Sequence, residues 1–269
     1  MTTLDLASSE RGERRTSGRV RRLRALARAE LTLLLRNRTV VLTALAVPLT
    51  LPFCVRPALD RLDLSGRGPG VGAALTTVAV GFSFLFAVHT ALVGTYVARR
   101  EELVLKRLRT GELTDAEILI GTALPAVALG LVQSLLLCAG GAVLLHTGVP
   151  RAPGLTVLGV LLGLVLSAAL AALTSVVTRS VEGAQVTALP LVLATMIGSG
   201  LAVPVESLPA RFARGLELLP LSPAVRLVRA GWTGDLGGPE LLRTIAVALV
   251  WIAVAVFAVR RWFRWEGRR

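Results

Sequence analysis

Between two long apolar stretches the chain reads Arg99-Arg100-Glu101-Glu102 and, further on, Leu105, Lys106, Arg107, Leu108, Arg109 and Thr110, the most ordered polar segment of the sequence. Acidic residues first and basic residues last complement the dipole of a short helix running from Arg99 to Arg109, and Glu102 with Lys106 has the favourable i,i+4 orientation. Between two rigid stretches, such a helix would make a good lever. A solvated connector would carry the same charges. Covalent chemistry finds less support. A P-loop of the form G-x-x-x-x-G-K-[ST] needs a lysine to reach the phosphates, and the only lysine is Lys106, followed by Arg107. This chain does not hydrolyse nucleotide by that route. No nucleophile–base set or metal-ligand cluster is visible, so no catalytic, cofactor or metal residue is expected. Cys54 and Cys138 fall within apolar stretches and read as packing residues, with no disulfide framework.

Neutral polar side chains are the second group with chemical potential. Ser83, Thr90, Thr95 and Tyr96 lie in one apolar stretch, Gln133 and Ser134 in the next, and Thr187, Thr195 and Ser199 in a later one. Hydrogen bonding between packed membrane helices, helped by small residues such as Gly159 and Gly163, is the commoner use of such groups. A wide, weakly polar route for an amphipathic substrate would have a similar lining, with Ser83, Thr90, Gln133, Ser134, Thr195 and Ser199 as its candidate residues. His89 is a lone histidine and reads as structural before it reads as a proton relay. His146, at the end of its stretch, reads as interfacial.

The elements that hold these residues are six apolar runs: Thr39 to Val55, Val71 to Ala98, Ile118 to Leu145, Leu155 to Val177, Val186 to Val203 and Leu241 to Val259. About 20 apolar residues as a helix cross the hydrocarbon layer, and a helix satisfies its own backbone groups there. The fold class expected is an all-α integral membrane protein of six spans, a single domain over 19–269. With 54% hydrophobic and 17% charged residues, composition agrees. The net charge of +13 comes without aromatic interleaving or a finger motif, so nucleic acid is not an expected partner.

Arginine is denser before the first run, after the second and past the sixth than in the intervening loops, which by the positive-inside rule puts both termini in the cytoplasm. The first run follows 38 mostly polar residues with no small-residue cleavage pattern, and is expected to be an anchor rather than a leader. One lysine against 29 arginines, with heavy Ala, Leu and Gly usage, suggests a GC-rich bacterial genome. Residues 1–18 read as a disordered tail. From Arg19 to Leu35, Val20, Leu23, Leu26, Ala27, Leu31 and Leu34 share one face and Arg21, Arg24 and Arg28 another, as in a helix lying at the headgroup layer. Thr110-Gly111 closes the charged helix, and Thr114-x-x-Glu117 forms a capping box before Ile118. The loop from Pro204 to Glu240 holds two short helical patterns. The second opens on Ser222 as N-cap and Pro223 in the first turn. Both are expected to dip into the outer leaflet and seal the mouth.

Taken in order, these pieces resemble the permease subunits of type-2 ABC exporters. The resemblance rests on the basic entry helix with Arg36-Asn37-Arg38, on Arg99-Arg100-Glu101-Glu102 through Leu108-Arg109-Thr110-Gly111, and on Ser199-Gly200-Leu201-Ala202-Val203-Pro204 continuing to Leu219-Pro220-Leu221-Ser222-Pro223. It implies that Arg99 to Leu108 is a coupling helix seated in a separate ATP-binding subunit, which holds ATP and Mg2+. It also implies a pore of two permease chains, identical or related, and re-entrant outer helices. The chain departs from the family average in its short second outer loop, His146 to Leu155. The expected function is export of a hydrophobic or amphipathic compound such as a drug, antibiotic, peptide or lipid-linked molecule. Two rivals stand beside it: an immunity or sensor subunit that binds a membrane-active compound without moving it, and a secondary transporter.

Overall fold

The computed structural model describes Thr32, Thr50 and residues 69–110, 114–145, 147–198, 215–263 and 265. The described residues are helical, without strands. The expected tail, entry helix and first span, Thr39 to Val55, lie outside them, apart from the helical residues Thr32 and Thr50.

Five described helices are long and apolar enough to cross a membrane: Gly70–Glu101, Asp115–Leu144, Pro153–Val177, Val181–Gly198 and Gly238–Trp262. They correspond to the second through sixth apolar runs. Their surfaces explain why so oily a sequence folds. Leu135, Leu136 and Val143 on the second, Val186, Leu189 and Leu193 on the fourth, and Leu249, Val250 and Phe257 on the last all face outward. In water an apolar surface of this extent would aggregate, whereas in lipid it is the matched face.

The first of these rods has three parts: α1, Pro69–Ser83, a π-helical segment, Phe84–Thr90, and α2, Ala91–Glu101. A short helix α3, Val104–Arg109, follows, then α4, Asp115–Leu144. Next come α5, Pro153–Val177, and α6, Val181–Gly198. After the segment that is not described, α7, Ser222–Thr233, leads to α8, Gly238–Trp262. Pro125 and Pro190 sit inside α4 and α6. Membrane helices tolerate such breaks because neighbours satisfy the freed carbonyls.

At the centre lies α5. It packs against α7, α8, the π segment and α2. Close approach depends on missing side chains. A Cβ on Gly159 would lie 2.7 Å from the Val228 backbone nitrogen, and one on Gly231 would lie 2.8 Å from the Thr156 backbone nitrogen. These two glycines let α5 and α7 meet backbone to backbone, the small-residue contact that membrane helices use in place of a hydrophobic driving force. Ala152 N–H also donates to Gly231 O at 2.9 Å. In the same way Phe84 of the π segment seats on Gly163 of α5, and Val88 seats on Gly130 of α4.

Two differences from the sequence reading stand out. The segment after the second span is not one helix from Arg99. α2 runs on through Glu101, the chain turns at Leu103 with φ 58°, and α3 begins only at Val104. Glu101 and Glu102 are thus at the end of the span helix, not in the first turn of the charged one. Glu102 reaches back to Arg99, at 3.8 Å. The other difference is a shift of one residue: the N-cap of α7 is Leu221, with Ser222 already helical. Substituting Gly231→Val or Gly159→Val is expected to lower stability by roughly 1–3 kcal/mol through overpacking, measured as thermal unfolding in detergent. Gly154→Ala, which meets open space, is expected to be neutral or slightly stabilising.

Candidate functional site

At the end of the bundle that carries α3, a buried arginine joins α2 to α5. Arg100 is 2% exposed. Its Nη1 donates to Ser175 O at 2.9 Å and its Nη2 to Thr178 O at 2.5 Å. Those carbonyls close the C-terminus of α5, where the last turn of a helix leaves acceptors without intrahelical donors and carries partial negative charge. A guanidinium supplies several fixed donors, and charge-assisted bonds to otherwise unpaired carbonyls offset the cost of burying it. The next residue serves the following helix. Glu101 Oε1 accepts the N–H of Val181, the first residue of α6, at 3.3 Å, and Ser180 Oγ accepts the N–H of Gly183 at 3.2 Å. Adjacent residues at the end of α2 therefore cap the end of one span and the start of the next.

The eight residues singled out around α3 divide accordingly. Arg100 and Leu105 are buried and fasten the segment to the bundle. Glu101 is exposed but engaged with α6. Arg99 and Leu108 are partly buried, and Glu102, Arg109 and Thr110 are exposed, as are Lys106 and Arg107. Leu103, 43% exposed, projects from the turn. For leucine the left-handed region costs about 1–2 kcal/mol, so the surrounding packing holds this corner in one conformation.

Beyond α3, Arg109 faces Asp115 with Nε to Oδ1 at 3.0 Å and Nη2 to Oδ2 at 3.3 Å. Its guanidinium also lies 5.0 Å from the centre of the Trp265 ring. Trp265 contacts Phe263 edge to face, and Phe263 contacts Tyr96 likewise. The Tyr96 hydroxyl donates to Leu119 O at 2.9 Å. α2, α3, α4 and the end of α8 are thus linked at one corner. No residue spacing points to Asp115 and Trp265 as partners of Arg109. At the head of α4 the capping box is complete: Thr114 N–H donates to Glu117 Oε2 at 2.8 Å and Glu117 N–H to Thr114 Oγ1 at 3.4 Å.

Inside the bundle the candidate path residues follow helix seams. Ser83 Oγ donates to Gln133 Oε1 at 3.0 Å, joining α1 to α4, and both residues are fully buried. Ser134 and Thr195 are fully buried and Thr90 is nearly so. Ser199 lies outside the described residues. Thr95 and Thr187 instead bond to the carbonyl four residues back in their own helices, to Ala91 O and Gly183 O. The Thr90, Ser134 and Ser167 hydroxyls have no hydrogen-bond partner among the described residues. His89, in the π segment, faces the Ser167 backbone, yet neither ring nitrogen completes a well-formed hydrogen bond among the described residues.

The opposite end is tied by charge. Arg226 of α7 pairs with Glu217 at 3.2 Å and with Glu240 of α8 at 2.9 Å, while Arg243 approaches Glu217 at 3.8 Å. Trp251 Nε1 donates to Leu218 O at 2.8 Å. α7 itself is buried along most of its length and packs on α5, α1 and α8.

Compared with known proteins, the chain matches the family model described as ABC-2 type transporter over residues 21–232. No curated protein matches it.

Thr114→Ala removes the hydroxyl that caps α4 and is expected to lower stability by about 1 kcal/mol. Thr114→Ser is expected to restore most of it, with thermal unfolding in detergent as the measurement.

Proposed function

The chain belongs to the ABC-2 type transporter family, and from that premise we propose that it is the permease of an ATP-driven exporter, powered by a separate ATP-binding subunit. The observation that carries this reading is α3. It is a six-residue helix at the end of a long span, anchored by buried Leu105, with Lys106, Arg107 and Arg109 exposed. A charged helix with one anchored face and one exposed face fits a groove in a partner, where rim charges steer and orient docking. The exposed partner-facing set is Glu102, Leu103, Lys106, Arg107 and Thr110. Leu105 lies behind it and holds it in place, while Arg100 and Glu101, on α2, reach instead to α5 and α6. ATP and Mg2+ belong to the partner subunit, and this chain contributes no catalytic residue.

Two such chains, identical or related, enclose the route in this reading, and α7 dips back from the outer face as a re-entrant helix. Both termini are cytoplasmic, in a bacterial cell membrane. The substrate is hydrophobic or amphipathic, because the span interiors offer hydroxyls and an amide in place of ionised groups.

Affinity purification of the tagged protein in mild detergent, followed by identification of co-purifying chains and an ATPase assay, tests the reading. A stoichiometric ATP-binding subunit is expected. Lys106→Glu with Arg107→Glu is expected to lower its recovery roughly tenfold, as loss of steering and register charges does at an interface, while membrane insertion stays unchanged. A stable protein with no nucleotide-binding partner, even after crosslinking in cells, would favour the sensor or the secondary transporter. Uptake that follows a proton gradient without nucleotide would single out the latter.

A further inference from the structure

We infer that Arg100 and Glu101 form a transmission clamp, positioning residues through which movement of α3 is delivered to α5 and α6 as well as to the two spans that flank it. The inference rests on the reading of α3 as the surface that meets the ATP-binding subunit. Sequence connectivity alone joins α3 only to α2 and α4. The structure adds a second linkage. Arg100 closes the last carbonyls of α5 through Ser175 O and Thr178 O, and Glu101 receives the first amide of α6 from Val181. Both contacts are made to backbone at helix ends, so a displacement of α2 pulls on whole helices and not on a flexible side chain. The linker they straddle is short, since α5 ends at Val177 and α6 begins at Val181, and Thr178 within it is buried. A short linker held from both sides has no slack to absorb the motion.

Geometry favours transmission over simple anchoring. The clamp lies two residues before the turn at Leu103, and α3 starts on the far side of that turn. Leu105 is fully buried, so a push on the exposed face of α3 reaches the end of α2 across one fixed corner. The central position of α5, packed on α7, α8, α2 and the π segment, then spreads the movement through the bundle to its opposite end.

The experiment uses the complex recovered with its ATP-binding subunit, reconstituted in lipid nanodiscs, with Cys54→Ala and Cys138→Ala in the background. Gly154→Cys at the far end of α5, where a side chain meets open space, reports movement through its rate of maleimide labelling with and without ATP and vanadate. In the otherwise unmutated complex this rate is expected to respond to nucleotide. Arg100→Met is expected to reduce the response about fivefold or more, a typical coupling magnitude, with recovery of the ATP-binding subunit unchanged. Arg100→Lys, which can reach one of the two carbonyls, is expected to keep part of it. That graded rescue at constant assembly is what a merely structural role would not give. A full response in Arg100→Met overturns the inference and leaves the exporter reading intact. If Arg100→Met does not assemble, Glu101→Ala decides: a reduced response supports the clamp and a full one overturns it. Absence of any ATP-binding subunit with the unmutated chain overturns the exporter reading and the clamp together.

Discussion

A membrane helix satisfies its own backbone everywhere except at its ends, and the ends are where this fold is assembled. Four N-terminal amides and four C-terminal carbonyls of each span need partners, and water is scarce near the hydrocarbon layer. The chain supplies such partners from neighbouring helices or from the helix's own cap. Arg100 answers α5, Glu101 answers α6, Thr114 and Glu117 answer α4, and Arg151 Nη1 donates to Thr233 O at the end of α7 at 3.2 Å. Connections made this way do two things at once. They remove the cost of unpaired polar groups, and they fix where each rod begins relative to its neighbours.

Between the ends the problem is different, because lipid gives apolar side chains little reason to leave it. Contact then depends on shape, and α5 is the helix whose shape invites it. Gly159 and Gly163 form a groove on one side, entered by α7 and by Phe84. Sparse polar contacts such as Ser83 with Gln133 add direction to this packing, each worth about 0.6–2 kcal/mol in membranes. Hydroxyls that bond within their own helices, as those of Thr95 and Thr187 do, contribute nothing between helices.

Much of this was readable before any coordinates. Apolar run length predicts six spans, and five of the runs coincide with described helices, the fifth offset at its start from Val186 to Val181, because the bilayer thickness admits little else. The capping box at Thr114 was readable because its two side chains lie three residues apart and interact locally. The inward turn of Arg100 was not read, although a signal existed. Leu92, Val93, Tyr96 and Val97 are all buried, and continuing that helical face by three or four residues arrives at Arg100 and Glu101. The charge order from Arg99 to Arg109 points to a new helix starting at Arg99 and masks the periodicity that runs into it. The pairing of Arg109 with Asp115 and Trp265 was beyond sequence, since it depends on where α8 ends. So was the π segment: Phe84 to Thr90 is ordinary apolar sequence, with no residue type that marks the wider turn.

That wider winding has a geometric consequence. One additional residue in a helical turn rotates everything beyond it by roughly 100° about the axis, while the rod stays continuous and needs no break in its hydrogen-bond ladder. Before the segment α1 lies against α4 and α7, and after it α2 lies against α5 and α6. A proline kink would have redirected the axis and cost rigidity. A phase change keeps the axis and turns the contacts, so a single stiff shaft lies against α7 towards one membrane face and against α5 and α6 towards the other, with α4 beside it along its length.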